Sequence, residues 1–446
     1  MAYLSLGESI QDVINKLKNE REHKKIKQRL SVQSSLDGVG IRWKKIAASG
    51  KAWNATLQAG CVITLQLDYE ALSGTIEDLS MISSFICLKK LNLAYNSLSG
   101  SIPPSLFSLP SLQQLKLSNN NFSGHIDEFH SSSFPHLEDQ SSLLFLDLSN
   151  NRLRDEIPNW IWEIGSGDFW QLNLSCNHFV DLQKPYRIPD SLQVLDLHSN
   201  HLGGELPLPK ERALYIDYSN NKFDKAIPTN IGTYLSNLIF FSVSNNSLSG
   251  TIPSTLCEAA YLQVVDLSFN NLSGNIHPCL LQNTENLGVF SLRSNNISGD
   301  IPDEFSENCD LETLDFNGNN LGGKIPKSME YCTSLTVFNV GDNNIDGGFP
   351  CMLPSSLRVL VLRSNKFHGE ITCTKHWPDL QIMDISSNYF SGSLNQVGFS
   401  SWSRMVLGSD RQSRREQLHF DFLNLKNFYY QDEVTLTIKG SKLKLP

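Results

Sequence analysis

One phrase recurs along this chain at a nearly fixed interval, and nothing else limits its fold as tightly. "LKKLNLAYNSLSGSIP" (Leu88–Pro103) is followed by "LQQLKLSNNNFSGHI" from Leu112 and "LLFLDLSNNRLRDEIP" from Leu143. The series runs on to "LQIMDISSNYFSGSL" from Leu380. Each unit reads L-x-x-L-x-L-x-x-N-x-L-x-G-x-I-P. Its asparagines fall at Asn96, Asn120, Asn151, Asn177, Asn200, Asn221, Asn246, Asn270, Asn295, Asn319, Asn343, Asn365 and Asn388, in steps of 21 to 26 residues with one exception. The exception, Asn120 to Asn151, carries an insertion containing "DEFHSSSFPHLEDQ". An earlier degenerate unit, "VITLQLDYEALSGTI", has Glu70 in the asparagine's place.

A period of this length means stacked coils, because one unit cannot bury its own leucines. L-x-L predicts a short strand with leucines inward and the middle residue outward. The asparagine ends the strand, and its amide can bond the backbone of neighbouring coils. The glycine permits a backbone that other residues resist, and the proline starts the return path without needing a donor.

Composition narrows the function classes. The net charge of −9 argues against nucleic acid as a partner. Only 19% of the 446 residues are charged, so asparagine, serine and glycine must supply much of the polar surface. No apolar run is long enough for a membrane helix. The N-terminus lacks the basic and apolar regions of a signal peptide. Residues 1–52 read as an atypical segment whose Ile10, Val13, Ile14 and Leu17 suggest a charged amphipathic helix.

Several features invite chemistry and are better read as structure. No motif for a catalytic nucleophile, zinc protease or phosphate loop is present. Asp147, Asp196, Asp217, Asp266, Asp315 and Asp384 share the outward strand position, where an aspartate bonds the following serine and backbone. His125, His130 and His136 lie in or beside the insertion without zinc-ligand spacing. "GDNNIDGGFP" imitates a calcium loop, but the glutamate such a loop needs is replaced by Leu353. No cofactor or metal is expected.

Cysteine spacing matches the repeat. Cys257 with Cys279, Cys309 with Cys332, Cys351 with Cys373, and Cys61 with Cys87 each fall about one coil apart, as disulfide geometry requires. Cys176 is left over and is expected to be buried and inert. Asn54, Asn121, Asn173, Asn245, Asn271 and Asn296 stand in glycosylation sequons. Residues expected to face a ligand are Tyr95, Trp170 and Phe269, read as exposed aromatics at strand positions, and Arg293, Arg358 and Arg363, with Asp315 and Asp342 between them. Arginine and aromatics are the usual anchors of interfaces.

The motif is that of the leucine-rich repeat, and G-x-I-P makes it similar to the plant extracellular class. "LRVLVLRSNKFHGEI", "WPDLQIMDI" from Trp377 and "YYQDEVTLTIKG" from Tyr429 resemble the plant receptor-like proteins of the wilt-disease-resistance type. The resemblance implies an α/β solenoid, a curved right-handed superhelix with a parallel sheet on its concave face. It places the repeats at 53–394 and an irregular segment at 395–446. It also implies a non-enzymatic plasma-membrane immune receptor that recognises a pathogen-derived peptide or protein and signals through a partner receptor kinase. The ends depart from the family plan, so the chain reads as a truncated receptor. A secreted inhibitor of a pathogen hydrolase and the ectodomain of a peptide-sensing receptor kinase are the alternatives.

Overall fold

The computed structural model describes residues 41–42, 54–58, 61–75, 86–107, 109–126, 142–165, 167–373, 375–393, 421–425, 428–431, 434–438 and 441–445. They belong to two compact units. One contains Met1–Lys225 and Thr233–Leu238, the other Ala226–Gly232 and Ile239–Pro446.

Each unit is a stack of repeat coils joined by a parallel strand ladder. In the first, Cys61–Gln66, Lys90–Asn92, Gln114–Lys116, Phe145–Asp147, Gln171–Asn173, Val194–Asp196 and Tyr215–Asp217 pair in sequence order. Its first strand also pairs antiparallel with Asn54–Gln58, which pairs with Ile41–Arg42. In the second, the ladder runs through Phe240–Ser242, Val264–Asp266, Val289–Ser291, Thr313–Asp315, Val337–Asn339, Val359–Val361 and Ile382–Asp384. The inward residues form the core: Leu91, Leu93, Leu146, Leu172, Leu267, Leu314 and Leu362 are each at most 1% exposed.

A second ladder follows the asparagine. Ser249–Thr251, Asn271–Asn275, Asn296–Asp300 and Asn320–Gly322 pair in parallel. The repeat pattern does not announce these strands, because their N-x-L-x-G residues lack period-two alternation. Gly299 shows why glycine sits there. Its φ is +77°, and a Cβ would lie 2.7 Å from the Asn275 side chain. Short helical turns then begin after the prolines, as at Ser254–Glu258 and Lys327–Tyr331. Within the segment expected to be irregular, Asp421–Leu425 pairs with Phe428–Gln431 and Val434–Ile438 with Ser441–Leu445, as antiparallel hairpins.

The ladder asparagine ties coil to coil. Asn319 Oδ1 accepts from Ile297 N of the preceding coil at 3.0 Å, while Nδ2 donates to Leu292 O there and to Phe316 O in its own coil. Asn343, inside the calcium-like phrase, does the same through Leu321 N, Phe316 O and Val340 O.

The residue just before each of these asparagines carries a feature the repeat pattern did not suggest. Tyr95, Asn119, Cys176, Ser199, Phe269, Ser294, Asp342 and Ser364 all have φ between 51° and 56°. This left-handed backbone costs an ordinary residue about 1–2 kcal/mol. A ladder bond to the next coil holds it in place, such as Phe269 N to Arg293 O at 2.7 Å or Asp342 N to Arg363 O at 2.9 Å.

Disulfides join adjacent coils at Cys257–Cys279, Cys309–Cys332 and Cys351–Cys373, with Cα separations of 5.8, 4.6 and 5.5 Å. Cys87 is disulfide-bonded as well; the Cys61 side chain expected opposite it lies outside the described residues. Cys176 is the free cysteine among the described residues, and it is half-buried rather than sequestered.

Two outcomes follow. Asn319→Ala leaves buried backbone groups unpaired in two coils and should lower stability by about 2–4 kcal/mol in denaturant melts. Replacing Cys309 and Cys332 with alanine opens a loop with a sequence separation of 23 and should cost about 3 kcal/mol in the same assay.

Candidate functional site

Parallel in-register pairing puts equivalent residues of successive coils side by side, so the open side of each strand ladder is a regular grid. In the second unit the grid gathers most of the residues expected to face a ligand. The Arg293 guanidinium lies 5.4 Å above the Phe269 ring. Its Nη1 is 3.6 Å from Asp315 Oδ2. Farther along, Arg363 Nε is 3.8 Å from Asp342 Oδ1, and Asn317 Nδ2 donates to Asp342 Oδ2 at 3.3 Å. Arg358 precedes the Val359–Val361 strand and is half-buried.

These contacts divide the expected residues by role. Asp315 is 4% exposed, so it does not face a ligand. Its Oδ1 accepts from Asn317 N and its Oδ2 holds Arg293. Asp342 is exposed. Neither arginine is saturated by its aspartate. Arg293 Nε, Arg363 Nε and Asn339 Nδ2 are buried donors without a hydrogen-bond partner. An unpaired buried donor costs about 1–3 kcal/mol.

The aromatic residues are exposed but sit elsewhere than expected. Tyr95 and Phe269 occupy the left-handed turn after the strand, and Trp170 lies just before one. Tyr95 stacks on Tyr69 with centroids 4.2 Å apart, and Trp170 meets Phe145 edge-on at 5.9 Å. Among the sequons, Asn245, Asn271 and Asn296 are exposed, and Asn121 and Asn173 are half-buried. Asn173 Oδ1 is already taken by the Ser175 N–H and hydroxyl. The Asn54 side chain, His130, His136 and the N-terminal amphipathic stretch lie outside the described residues.

The outward aspartates bond as expected of structural residues. Asp147, Asp217, Asp266 and Asp384 each accept from the backbone N–H two residues on. Asp196 does so too, but it also joins a cluster in the first unit. Its Oδ1 is 2.6 Å from His198 Nδ1, and Asp217 Oδ2 is 3.8 Å from the same nitrogen. His198 Nε2 lies 3.4 Å from Cys176 Sγ. Burial works against a charged imidazole here. Hydrogen bonds to Asp196 and Cys176 and the charges of Asp196 and Asp217 outweigh it, and the His198 pKa is pushed up to about 11. Burial and the neighbouring Asp196 push Asp217 up to about 6 against the opposing pull of His198. Burial likewise pushes Asp315 up to about 6, with Arg293 opposing.

The repeat pattern does not announce this cluster, because its members stand at different positions of three units. The signal was available: "LDLHSN" puts His198 where most units have serine, and Cys176 precedes the asparagine of the preceding unit.

With this geometry in hand, comparisons place the chain among known proteins. The Leucine Rich Repeat family model matches 87–109, 111–133, 142–164, 191–209, 237–259, 261–283, 286–308 and 310–332. This chain is a leucine-rich repeat protein, similar over most of its length to plant receptor-like proteins. Receptor-like protein 35 of Arabidopsis thaliana is 33% identical over 390 residues, covering 85% of this chain and 35% of that protein. Receptor like protein 27 of Arabidopsis thaliana is 35% identical over 372 residues, covering 81% of this chain and 41% of its own length. The chain thus spans well under half the length of these relatives. Among solved structures, the Arabidopsis receptor kinase HAESA, in complex with the peptide hormone IDA and the co-receptor SERK1, aligns with a TM-score of 0.61 and 27% identity. That alignment covers 73% of this chain and 57% of HAESA. A TDR receptor aligns at 0.56 with 26% identity, over 74% and 64%. No helix among the described residues is long and apolar enough to cross a membrane.

The raised pKa values predict a pH dependence. A group with a folded pKa above its unfolded value stabilises fully below the unfolded value and loses that contribution as pH rises through the folded one. For Asp217 and Asp315 the loss falls between about pH 4 and 6, and for His198 between about 6.5 and 11. Melting temperature should therefore fall from mildly acidic to alkaline pH, and Asp315→Asn should flatten the acidic part of the curve. A melting temperature that climbs over this range contradicts the assignment.

Proposed function

We propose that this repeat receptor-like chain is a non-enzymatic ligand-recognition ectodomain at the plant cell surface. It binds an acidic peptide, or an acidic segment of a protein, along the open face of the strand ladder in its second unit. The observation that carries this reading is the pair Arg293 and Arg363. They occupy the same register three coils apart, and each keeps a part-exposed guanidinium whose contact with its aspartate, at 3.6 and 3.8 Å, is too long for a good hydrogen bond. Such donors are suited to carboxylates. Phe269 beneath Arg293 adds apolar area and a cation–π contact.

The likeness to HAESA, whose complex holds a peptide hormone and a co-receptor, supports a peptide ligand and a second receptor chain as partner. The likeness to receptor-like proteins and the wilt-resistance phrases favours defence signalling, a pathogen-derived ligand and a partner receptor kinase that supplies the intracellular signal. Glycans at Asn245, Asn271 and Asn296 fit this placement, because those side chains are exposed.

Charge reversal tests the reading. A library of glutamate-containing peptides is panned against the chain, and the enriched peptides are measured against Arg293→Glu and Arg363→Glu. Each variant should weaken binding by roughly tenfold or more, while Lys222→Glu in the first unit should not. Unchanged affinity in both variants, with melting curves like the parent's, would sink the proposal.

A further inference from the structure

Three coils of the first unit bring a thiol, an imidazole and two carboxylates together. Cys176 occupies the left-handed residue before Asn177, with φ of 53°. Its N–H donates to His198 O at 2.8 Å. That bond fixes the two residues against each other, and His198 Nε2 then lies 3.4 Å from Cys176 Sγ. On the other side of the ring, Nδ1 donates to Asp196 Oδ1 at 2.6 Å, with Asp217 Oδ2 at 3.8 Å. The Asp196 carboxylate is buried and itself held by the His198 N–H. Tyr215 closes the far side, its hydroxyl 3.5 Å from Asp217 Oδ2.

From this arrangement we propose that Cys176 is a modification site, a thiol on the ladder face that peroxide oxidises to the sulfenic acid. Asp196 fixes the imidazole so that Nε2 addresses sulfur. Two carboxylates on the Nδ1 side favour the imidazolium, so Nε2 is placed to take the sulfur proton as the thiol attacks. The sulfur attacks one peroxide oxygen. The S–O bond forms as the O–O bond breaks, sulfur loses two electrons to the peroxide, and the departing hydroxide takes the Nε2 proton to leave as water. His198 is then neutral, with Nδ1–H still on Asp196. Cys176 is half-buried rather than sequestered, which leaves room for a molecule as small as peroxide to approach. The other cysteines with described side chains are disulfide-bonded. The sulfenic acid therefore has no resolving thiol among them and persists until an external thiol reduces it.

The titratable groups around the ring are Asp196 on its own coil, Asp217 and Tyr215 on the next, and Cys176 on the preceding coil. Asp217, pushed up to about 6, adds its charge only as pH rises through that value, so the reactivity should rise from mildly acidic to neutral pH.

The test treats the intact chain with hydrogen peroxide at mildly acidic pH. A dimedone-type probe traps sulfenic acid, and peptide mass spectrometry reads the label at Cys176. Folded protein should label about tenfold or more faster than the same protein in denaturant, where a free cysteine near pH 6 is almost wholly thiol. His198→Ala should bring the folded rate down to the denatured rate or below. Asp196→Asn keeps the packing volume and should slow labelling while leaving the melting transition in place, so a misfolded His198 variant does not rescue the idea. Labelling no faster than in denaturant, an undiminished rate in either variant that melts like the parent, or recovery of Cys176 in a disulfide would overturn the proposal.

Discussion

Everything in this solenoid hangs on a primary amide. The asparagine that ends each strand stands where the chain turns out of its ladder, and the turn leaves backbone donors and acceptors inside the core. They are buried or partly buried, and each unpaired group would cost about 1–3 kcal/mol. The amide is short and carries both donor and acceptor. In Asn295 the oxygen takes Leu272 N, and the nitrogen gives to Leu267 O and Leu292 O. A leucine would fill the space and satisfy nothing; an aspartate would accept but could not donate. Because these bonds cross from one coil to the next, they set the height of the stack as well as the turn.

That requirement explains why the fold was readable and where the reading stopped. The asparagine interval gave the coils, the leucines gave the inward faces, and one coil of separation gave the disulfide partners. All three depend on one position repeating at one period. The left-handed residue before the asparagine escaped because it has no fixed identity: tyrosine, cysteine, phenylalanine, serine and aspartate all occupy it. A backbone strain held by ladder bonds from the next coil leaves no mark on composition. For the same reason Tyr95 and Phe269 were assigned to strands. Asp315 was read as outward from the pleat, which is correct for its direction. Burial came from Arg293 one coil away, and a pleat argument contains no information about that neighbour.

The face of the second unit is poised between self-pairing and recognition. If Arg293 and Arg363 were fully satisfied by Asp315 and Asp342, a ligand would have to break good bonds to gain equal ones. Contacts of 3.6 and 3.8 Å are ion pairs without good hydrogen bonds. They hold each guanidinium in place and reduce its ordering cost, while its part-exposed edge is left for something else. Burial of Asp315 raises its own pKa, which weakens its hold on Arg293 as pH falls. The arginine is then better able to take an external acceptor.

The thiol cluster and the arginine patch arise from one geometric rule. In most of the described coils the N–H of the left-handed residue donates to the carbonyl of a particular residue in the following coil, the one two positions before its asparagine. Cys176 reaches His198 in this way, Phe269 reaches Arg293, and Asp342 reaches Arg363. The backbone bond brings the two residues side by side, and where both side chains are long or reactive enough they meet. The result is a thiol against an imidazole, a ring under a guanidinium, and a carboxylate beside another guanidinium. Neither partner is needed for the turn or the core, since the ladder asparagine and the leucines supply those. The identity of this pair of side chains can therefore vary while the turn and the core stay as they are. Pairing the residue before one asparagine with the residue two before the next turns a one-dimensional repeat into a list of adjacent side chains on the binding face.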